Sequence, residues 1–187
     1  MGRRINGLAH IDVFDLVASL RDRMTDFDKV TLRQEWPGSP HHDTRAIILR
    51  GPVGLGRTLP LPAGWFDDVP HEDLLPRWDW PEVRDVLREI EKLAPVGLGK
   101  AMIVALRPGG SIDWHVDEGP YAQAHLRYHL PLVTNPFAHL YSGGEQAHVP
   151  VGALTFFDTS VLHSATNLGP TDRIHLIVDA RKVRKEG

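Results

Sequence analysis

The second half of this chain carries an alternating pattern of apolar and polar residues that is typical of β-strands. Up to Gly99 the apolar residues recur at helical spacing, and after it they recur at every second position. Turn residues such as Asn135-Pro136 and Ser142-Gly143-Gly144 divide this half into short segments. Strands are predicted at 100–106, 112–117, 124–133, 139–141, 146–149, 153–157, 161–165 and 173–179. Short strands at this spacing predict a jelly roll.

The first half is predicted to be mixed and to cover one sheet of that jelly roll. Segments 11–24 and 81–93 have the amphipathic spacing of helices, and Asp79 is placed to cap the second of them. A strand is predicted at 44–49. Frequent prolines and glycines across 51–76 predict loops with short helical turns. The fold class is therefore mainly β with flanking helices.

Length and composition limit the classes of protein to consider. The chain of 187 residues is predicted to form a single domain, 1–187, with 1–99 as a helical or mixed support region and 100–181 as the β core. A net charge of −3 leaves no basic surplus for phosphates, so nucleic acid is not expected as a partner. The absence of cysteine excludes disulfides and thiolate metal sites. No targeting signal and no membrane-spanning stretch is visible, so we expect a cytoplasmic protein.

Strand parity groups the polar residues of the β core on shared faces. Because successive side chains point to opposite faces, His115 and Asp117 share one face, and Arg127 and His129 share one face of a later strand. Arg173 lies on the polar face of the last strand. A sheet with one solvent-exposed face alternates in the same way without any function. Such faces usually carry Thr, Lys, Glu and Ser, whereas these stripes consist of His, Arg and Asp.

Two histidines and one carboxylate in this order are typical of a non-haem iron site. His115, Asp117 and His163 can occupy one face of an octahedral Fe(II) and leave three positions open. Arg173, ten residues after His163, offers a planar guanidinium for the far carboxylate of a keto acid. This pattern predicts an oxygenase that uses Fe(II), 2-oxoglutarate and O₂. The alternative is that the histidines are core residues and Asp117 a turn residue.

Three longer motifs resemble a known family. They are Pro-Gly-Gly-Ser-Ile-Asp-Trp-His-Val-Asp-Glu-Gly-Pro-Tyr at 108–121, Leu-Arg-Tyr-His-Leu-Pro-Leu-Val-Thr-Asn at 126–135 and Asp-Arg-Ile-His-Leu-Ile-Val-Asp at 172–179. Together they resemble the aspartyl/asparaginyl β-hydroxylase family, and the first two also resemble its bacterial members that include proline cis-hydroxylases. The resemblance covers about 100–180. It implies a cupin-like double-stranded β-helix, Fe(II), 2-oxoglutarate and O₂.

The resemblance also implies a role for individual residues of the core. It makes His115 and His163 iron ligands, with Asp117 supplying the carboxylate ligand that many bacterial members have and the animal enzymes lack. It makes Arg173 the anchor for the C5 carboxylate of 2-oxoglutarate, and His129 a second contact to that cosubstrate.

Two arginines are candidates for binding the substrate. The resemblance implies that Arg127 contacts a carboxylate of the substrate, and the alternative is a structural bridge from Arg127 to Asp158 or Glu118. Arg45 lies in the run His-Asp-Thr-Arg, which resembles a short motif ahead of the core in bacterial members. We therefore count Arg45 as a second candidate at the substrate mouth.

Three functions are compatible with these features. The first is hydroxylation of an amino acid, either free or within a peptide, protein or natural-product precursor that carries a carboxylate. The second is a non-catalytic cupin that binds a metal or a small anion. The third is a metal-assisted hydrolase or isomerase on the same barrel. Arg173 together with His129 favours the first, because neither of the others requires a buried carboxylate fork at that point.

Overall fold

The computed structural model describes residues 2–29, 31–35, 38–51, 80–94 and 96–183. The predicted loop region 51–76 lies outside these ranges, except for its first residue. The candidate cap Asp79 also lies outside them. Among the helices in the described part of the chain, none combines the length and apolar character needed to cross a bilayer.

The described residues contain ten strands that form two antiparallel sheets. The strands are β1 (Ile5–His10), β2 (Thr44–Arg50), β3 (Leu98–Leu106), β4 (Ser111–His115), β5 (His125–Val133), β6 (Ala138–Ser142), β7 (Glu145–Ala147), β8 (Ala153–Phe157), β9 (His163–Asn167) and β10 (Arg173–Arg181). The larger sheet has the order β1-β8-β5-β10-β3-β2, and the smaller sheet has the order β4-β9-β6-β7.

The two sheets face each other across a small apolar cluster. Phe157 and Leu106 of the larger sheet pack with Ile112, Leu140 and Ala165 of the smaller one. Facing antiparallel sheets with crossovers between them are the architecture of a double-stranded β-helix. The predicted fold class is therefore confirmed.

The described helices are α1 (Phe14–Leu20), a 3₁₀ helix (Arg21–Asp28), α2 (Leu32–Glu35), α3 (Pro81–Glu91) and α4 (Gly119–Ala124). Helices α1 and α3 and the 3₁₀ helix cover the outer face of the larger sheet. Leu16 and Leu20 of α1 and Ile90 of α3 are buried in one core with Leu130 and Leu176 of the sheet. Each such burial stabilises the fold by about 1.5–3 kcal/mol. This packing leaves the inner face of the larger sheet for polar side chains.

The helix predicted across 11–24 is present, but it begins three residues later, at Phe14, and does not stay α-helical. The chain forms strand β1 first, and a helix begins only at Phe14, whose backbone N–H donates to the Asp12 carboxylate at 2.9 Å. The helix then tightens into a 3₁₀ turn at Arg21. Strand β1 was not predicted, because only Ile5 of its six residues is buried and an edge strand of this kind shows little apolar alternation.

Two predicted strand boundaries shift at the ends that carry the candidate ligands. Strand β4 ends at His115 rather than at Asp117, because the Asp117 backbone N–H leaves the sheet and donates to the Thr159 carbonyl at 3.0 Å. Strand β9 begins at His163 rather than at 161. Both histidines therefore lie at strand ends, where β4 and β9 meet the loops.

Candidate metal and cosubstrate site

Strand pairing in the smaller sheet places the two candidate histidines side by side. His115 at the end of β4 is the direct cross-strand partner of His163 at the start of β9. Their ring centroids are 4.1 Å apart. Two residues separated by almost fifty positions in the sequence thus meet because of the register of one antiparallel pair.

Backbone carbonyls orient both imidazoles in the same way. Nδ1 of His115 lies 2.7 Å from the Asp113 carbonyl oxygen, and Nδ1 of His163 lies 2.9 Å from the Val161 carbonyl oxygen. A carbonyl only accepts hydrogen bonds, so each Nδ1 carries a proton, and in the neutral ring Nε2 carries the lone pair. This is the tautomer in which histidine binds a metal through Nε2.

Asp117 completes a group of three ligand atoms. Its Oδ1 lies 3.5 Å from Nε2 of His115 and 3.9 Å from Nε2 of His163. One ligand atom from each of the three residues lies within 4.8 Å of the other two. Nε2 of His115 is buried and has no hydrogen-bond partner among the residues that the structure describes. A buried lone pair beside a carboxylate oxygen and a second imidazole fits a divalent cation, and the N₂O donor set suits Fe(II).

Arg127 holds the second oxygen of Asp117. Its Nη1 donates to Asp117 Oδ2 at 2.5 Å, while Nε and Nη2 donate to the two carboxylate oxygens of Asp179 at 2.8 and 3.1 Å. Burial would raise the pKa of Asp117, but the charge of Arg127 and the neighbouring histidines outweigh it and hold the pKa well below its usual range. The structural partners of Arg127 are thus Asp117 and Asp179. The suggested partner Asp158 instead pairs with Arg4.

Arg173 is a buried cation surrounded by neutral rings. It is 1% exposed at the start of β10. Its Nη2 lies 2.8 Å from Nδ1 of His175 and 3.5 Å from Nδ1 of His129. Burial lowers the pKa of Arg173 to about 9, and among the described residues no carboxylate forms an ion pair with it. Nη1 of Arg173 and Nε2 of His129 are both buried and have no hydrogen-bond partner within the described ranges.

His175 belongs to this cluster, although sequence reasoning did not select it as a site residue. It lies two positions after Arg173 on β10 and therefore shares its face, a placement that fits a packing residue equally well. Its ring fills the space beside the guanidinium, and Nε of Arg173 lies 3.1 Å from its Nε2. It therefore restrains the orientation of Arg173.

Arg45 is not brought to this site. It lies on β2 opposite Ala105, on the face of the sheet that packs against the helices. Its guanidinium pairs with Asp172 at 3.3 Å and Asp28 at 3.6 Å, and its side chain is 38% exposed. The substrate-binding role predicted for Arg45 gains no support from this position, because strand parity directs it away from the face that carries Arg173.

The buried histidines make stability depend on pH. Burial, followed by the charge of Arg173, lowers the pKa of both His129 and His175 well below 6.5. In the unfolded chain both take up protons near pH 6.5, whereas the folded chain keeps them neutral. We therefore expect these histidines to leave the free energy of unfolding undiminished above pH 6.5. Below pH 6.5 the free energy of unfolding should fall by about 1.4 kcal/mol per pH unit for each histidine.

Urea unfolding between pH 7.5 and pH 5.5 measures this dependence. His175→Gln should remove the contribution of one histidine and make the decline less steep. His10→Gln, at an exposed histidine of β1, should leave the decline as it is. An unchanged slope in His175→Gln would contradict the assignment.

Comparison with solved structures defines the class of fold. The chain is similar to a prolyl-4-hydroxylase from Pseudomonas putida, with a TM-score of 0.58 at 14% identity, covering 97% of this chain and 94% of that one. It is also similar to an oxidoreductase of the 2OG-Fe(II) oxygenase family from Burkholderia pseudomallei, with a TM-score of 0.54 at 11% identity, covering 93% and 95%. At these identities the likeness shows that the double-stranded β-helix fold is shared.

The sequence profile of one family matches the part of the chain that carries this site. The family is described as Aspartyl/Asparaginyl beta-hydroxylase, and the match covers residues 77–182, more than half of the chain. The chain belongs to this family, which confirms the resemblance found in its motifs. No sequence among the curated proteins is detectably similar to the chain.

Proposed function

We propose that this protein is an Fe(II)- and 2-oxoglutarate-dependent dioxygenase that hydroxylates an unactivated C–H bond of an amino acid. The substrate is a free amino acid, or a residue of a peptide, protein or natural-product precursor, and carries a carboxylate. One observation carries the proposal: the ligand atoms of His115, Asp117 and His163 converge on the inner side of a barrel that also buries Arg173, a cation with no carboxylate partner in the described part of the chain.

His115, His163 and Asp117 would hold the iron. Their protonation states suit this role without rearrangement, because both Nε2 atoms carry lone pairs and the depressed pKa of Asp117 keeps its carboxylate ionised. When bound, iron and 2-oxoglutarate supply the oxidation of a C–H bond by O₂, in which one oxygen atom becomes the new hydroxyl and the other enters succinate as CO₂ is released.

Arg173 and His129 would hold the far carboxylate of 2-oxoglutarate. Water has already been excluded from the guanidinium, so the cost of desolvating it is met during folding and not during binding. The unpartnered Nη1 of Arg173 and Nε2 of His129 provide two nitrogens for that carboxylate. A carboxylate is also the counterion that Arg173 lacks among the described residues.

The test is an anaerobic mixture of the purified protein with Fe(II) and 2-oxoglutarate. We expect a visible metal-to-ligand charge-transfer band, because that band requires the keto acid to chelate the iron. A screen of common amino acids and simple peptides for stimulated succinate release then identifies the substrate class. A protein that binds Fe(II) but gives neither the band nor succinate would instead be the non-catalytic metal- or anion-binding cupin.

A further inference from the structure

A continuous chain of charged side chains runs from the candidate metal site to the last strand. Asp117 contacts Arg127, and Arg127 contacts Asp179 through two parallel hydrogen bonds of 2.8 and 3.1 Å. Arg127 on β5 and Asp179 on β10 are direct cross-strand partners. The arginine is therefore held by the register of two central strands of the larger sheet.

The far end of this chain lies beside Tyr121. Asp179 is 2% exposed, and burial together with the negative charge of Asp179 raises the pKa of the Tyr121 hydroxyl. The same hydroxyl accepts the Lys100 backbone N–H at 2.7 Å. Tyr121 can come this close only because residue 99 is glycine, since a Cβ there would lie 2.5 Å from the hydroxyl oxygen. Asp179 is thus buried beside a fixed hydroxyl and is held by Arg127 through two hydrogen bonds.

This anchoring determines which oxygen of Asp117 faces the histidines. Arg127 holds Oδ2, so the carboxylate cannot rotate freely and Oδ1 is presented to Nε2 of His115 and His163. All three nitrogens of the Arg127 guanidinium already donate to carboxylates. A substrate carboxylate could engage Arg127 fully only by displacing one of these bonds.

We propose that Arg127 and Asp179 are positioning residues that orient the Asp117 carboxylate for the metal, in place of a substrate-binding role for Arg127. This inference rests on the proposed metal site. A positioned carboxylate loses less conformational freedom when it binds a cation, which is how outer partners strengthen metal sites.

The charge of Arg127 acts in the opposite direction and has to be weighed. A lone cation beside Asp117 would repel a divalent metal. Here the bidentate pair with Asp179 compensates the guanidinium charge, so the three residues Asp117, Arg127 and Asp179 carry a net charge of about −1 when all are ionised. Orientation therefore outweighs repulsion at this site.

The inference is tested by measuring the affinity for Mn(II) alone, from its electron paramagnetic resonance signal. Outer partners of metal ligands typically contribute a factor of about 10 to 100 in metal affinity. We expect Arg127→Gln and Asp179→Asn to weaken Mn(II) binding by a factor in that range. Arg127→Lys retains the positive charge but not the planar guanidinium, so it should lose only part of the Mn(II) affinity. It also replaces Arg127→Gln in the test if that variant fails to fold.

Asp26→Asn is the matched control. Asp26 is also a buried carboxylate in an ion pair, 2.5 Å from Lys29, but it lies in the 3₁₀ helix away from the metal site. This variant should lose stability without losing Mn(II) affinity. The comparison separates orientation of the ligand from general destabilisation.

Each contrary result points to a different error. Unchanged Mn(II) binding by Arg127→Gln would overturn the positioning role, and tighter binding would show in addition that repulsion dominates. Unchanged Mn(II) binding together with a raised substrate KM would return Arg127 to substrate recognition. A native protein that does not bind Mn(II) would overturn the metal site itself, and with it both the proposed function and this inference.

Discussion

Replacing His163 by alanine should abolish both the charge-transfer band with Fe(II) and 2-oxoglutarate and the release of succinate. His163 supplies one of only two imidazoles in the group of three ligand atoms. The remaining imidazole and carboxylate cannot occupy three positions on one face of the metal. The loss of affinity should therefore exceed the factor of about 10 to 100 that is typical of outer partners. Anaerobic titration with Fe(II), followed by absorbance, measures it, and His115→Ala should behave alike.

His139→Ala is the matched control for this experiment. His139 is the cross-strand neighbour of Thr166 in the same small sheet, and its ring faces Tyr141 at 6.3 Å rather than the metal site. The control should keep the band. Because His163 is buried, His163→Gln provides a second variant that leaves a smaller cavity. A full-strength band in either variant of His163 would show that this residue is not a ligand.

Sequence alone predicted the parts of this site that depend on local chain geometry. The alternation of side chains along a strand groups Arg127 with His129, and Arg173 with His175, before any pairing is known. His115 and Asp117 are only two positions apart in the sequence, and this short spacing keeps their side chains close together at the end of β4. This alternation depends only on consecutive residues, so it can be recognised in a single sequence.

The partners of Arg127 could not be predicted, because they depend on the register between strands. Asp179 lies opposite Arg127 only after a bulge between Ile174 and His175 has shifted the pairing of β5 and β10 by one residue. Tyr121 lies on α4, a helix of six residues that is too short to give a periodic signal. Parity restricted each residue to a face, but it could not identify the partner across the sheet.

The position of Arg45 could not be predicted from the sequence either. Its run His-Asp-Thr-Arg resembles a short motif ahead of the core in bacterial members of the family, and Arg45 lies on a correctly predicted strand. Which face of β2 joins the helix-covered core is decided by the packing of Ile47 and Leu49 against it. Arg45 lies two and four positions before these residues, so its side chain points to the same helix-covered face. No local pattern around residues 42–45 indicates which face that is.

Replacing Arg173 by methionine should raise the 2-oxoglutarate concentration for half-maximal turnover by a factor of roughly 10 to 150. This corresponds to about 1.5–3 kcal/mol, the usual contribution of a hydrogen bond to a charged group, at about 1.4 kcal/mol per tenfold change. Arg173→Lys keeps a cation without the planar guanidinium, so its 2-oxoglutarate requirement should lie between those of the native protein and Arg173→Met. Mn(II) affinity should stay at the native value, because Arg173 does not contact the three ligands. Succinate release at low 2-oxoglutarate concentration is the measurement.

Arg107→Gln is the control, since Arg107 is a largely exposed arginine whose partner at 2.6 Å is Asp43. It should leave the 2-oxoglutarate requirement unchanged. Normal succinate production by Arg173→Met at low cosubstrate would refute the anchoring role.

The same substitution should have an unusual effect on stability. Breaking a paired buried charge normally destabilises a protein, but Arg173 has no carboxylate partner among the described residues, so its burial is a cost to the folded state. Arg173→Met roughly conserves apolar volume and should not lower the free energy of unfolding measured without 2-oxoglutarate. Adding 2-oxoglutarate at 100 times its dissociation constant should stabilise the native protein by about 2.7 kcal/mol and should stabilise the variant much less at the same concentration. A variant that is strongly destabilised without ligand yet stabilised as much as the native protein by 2-oxoglutarate would show that the carboxylate binds elsewhere.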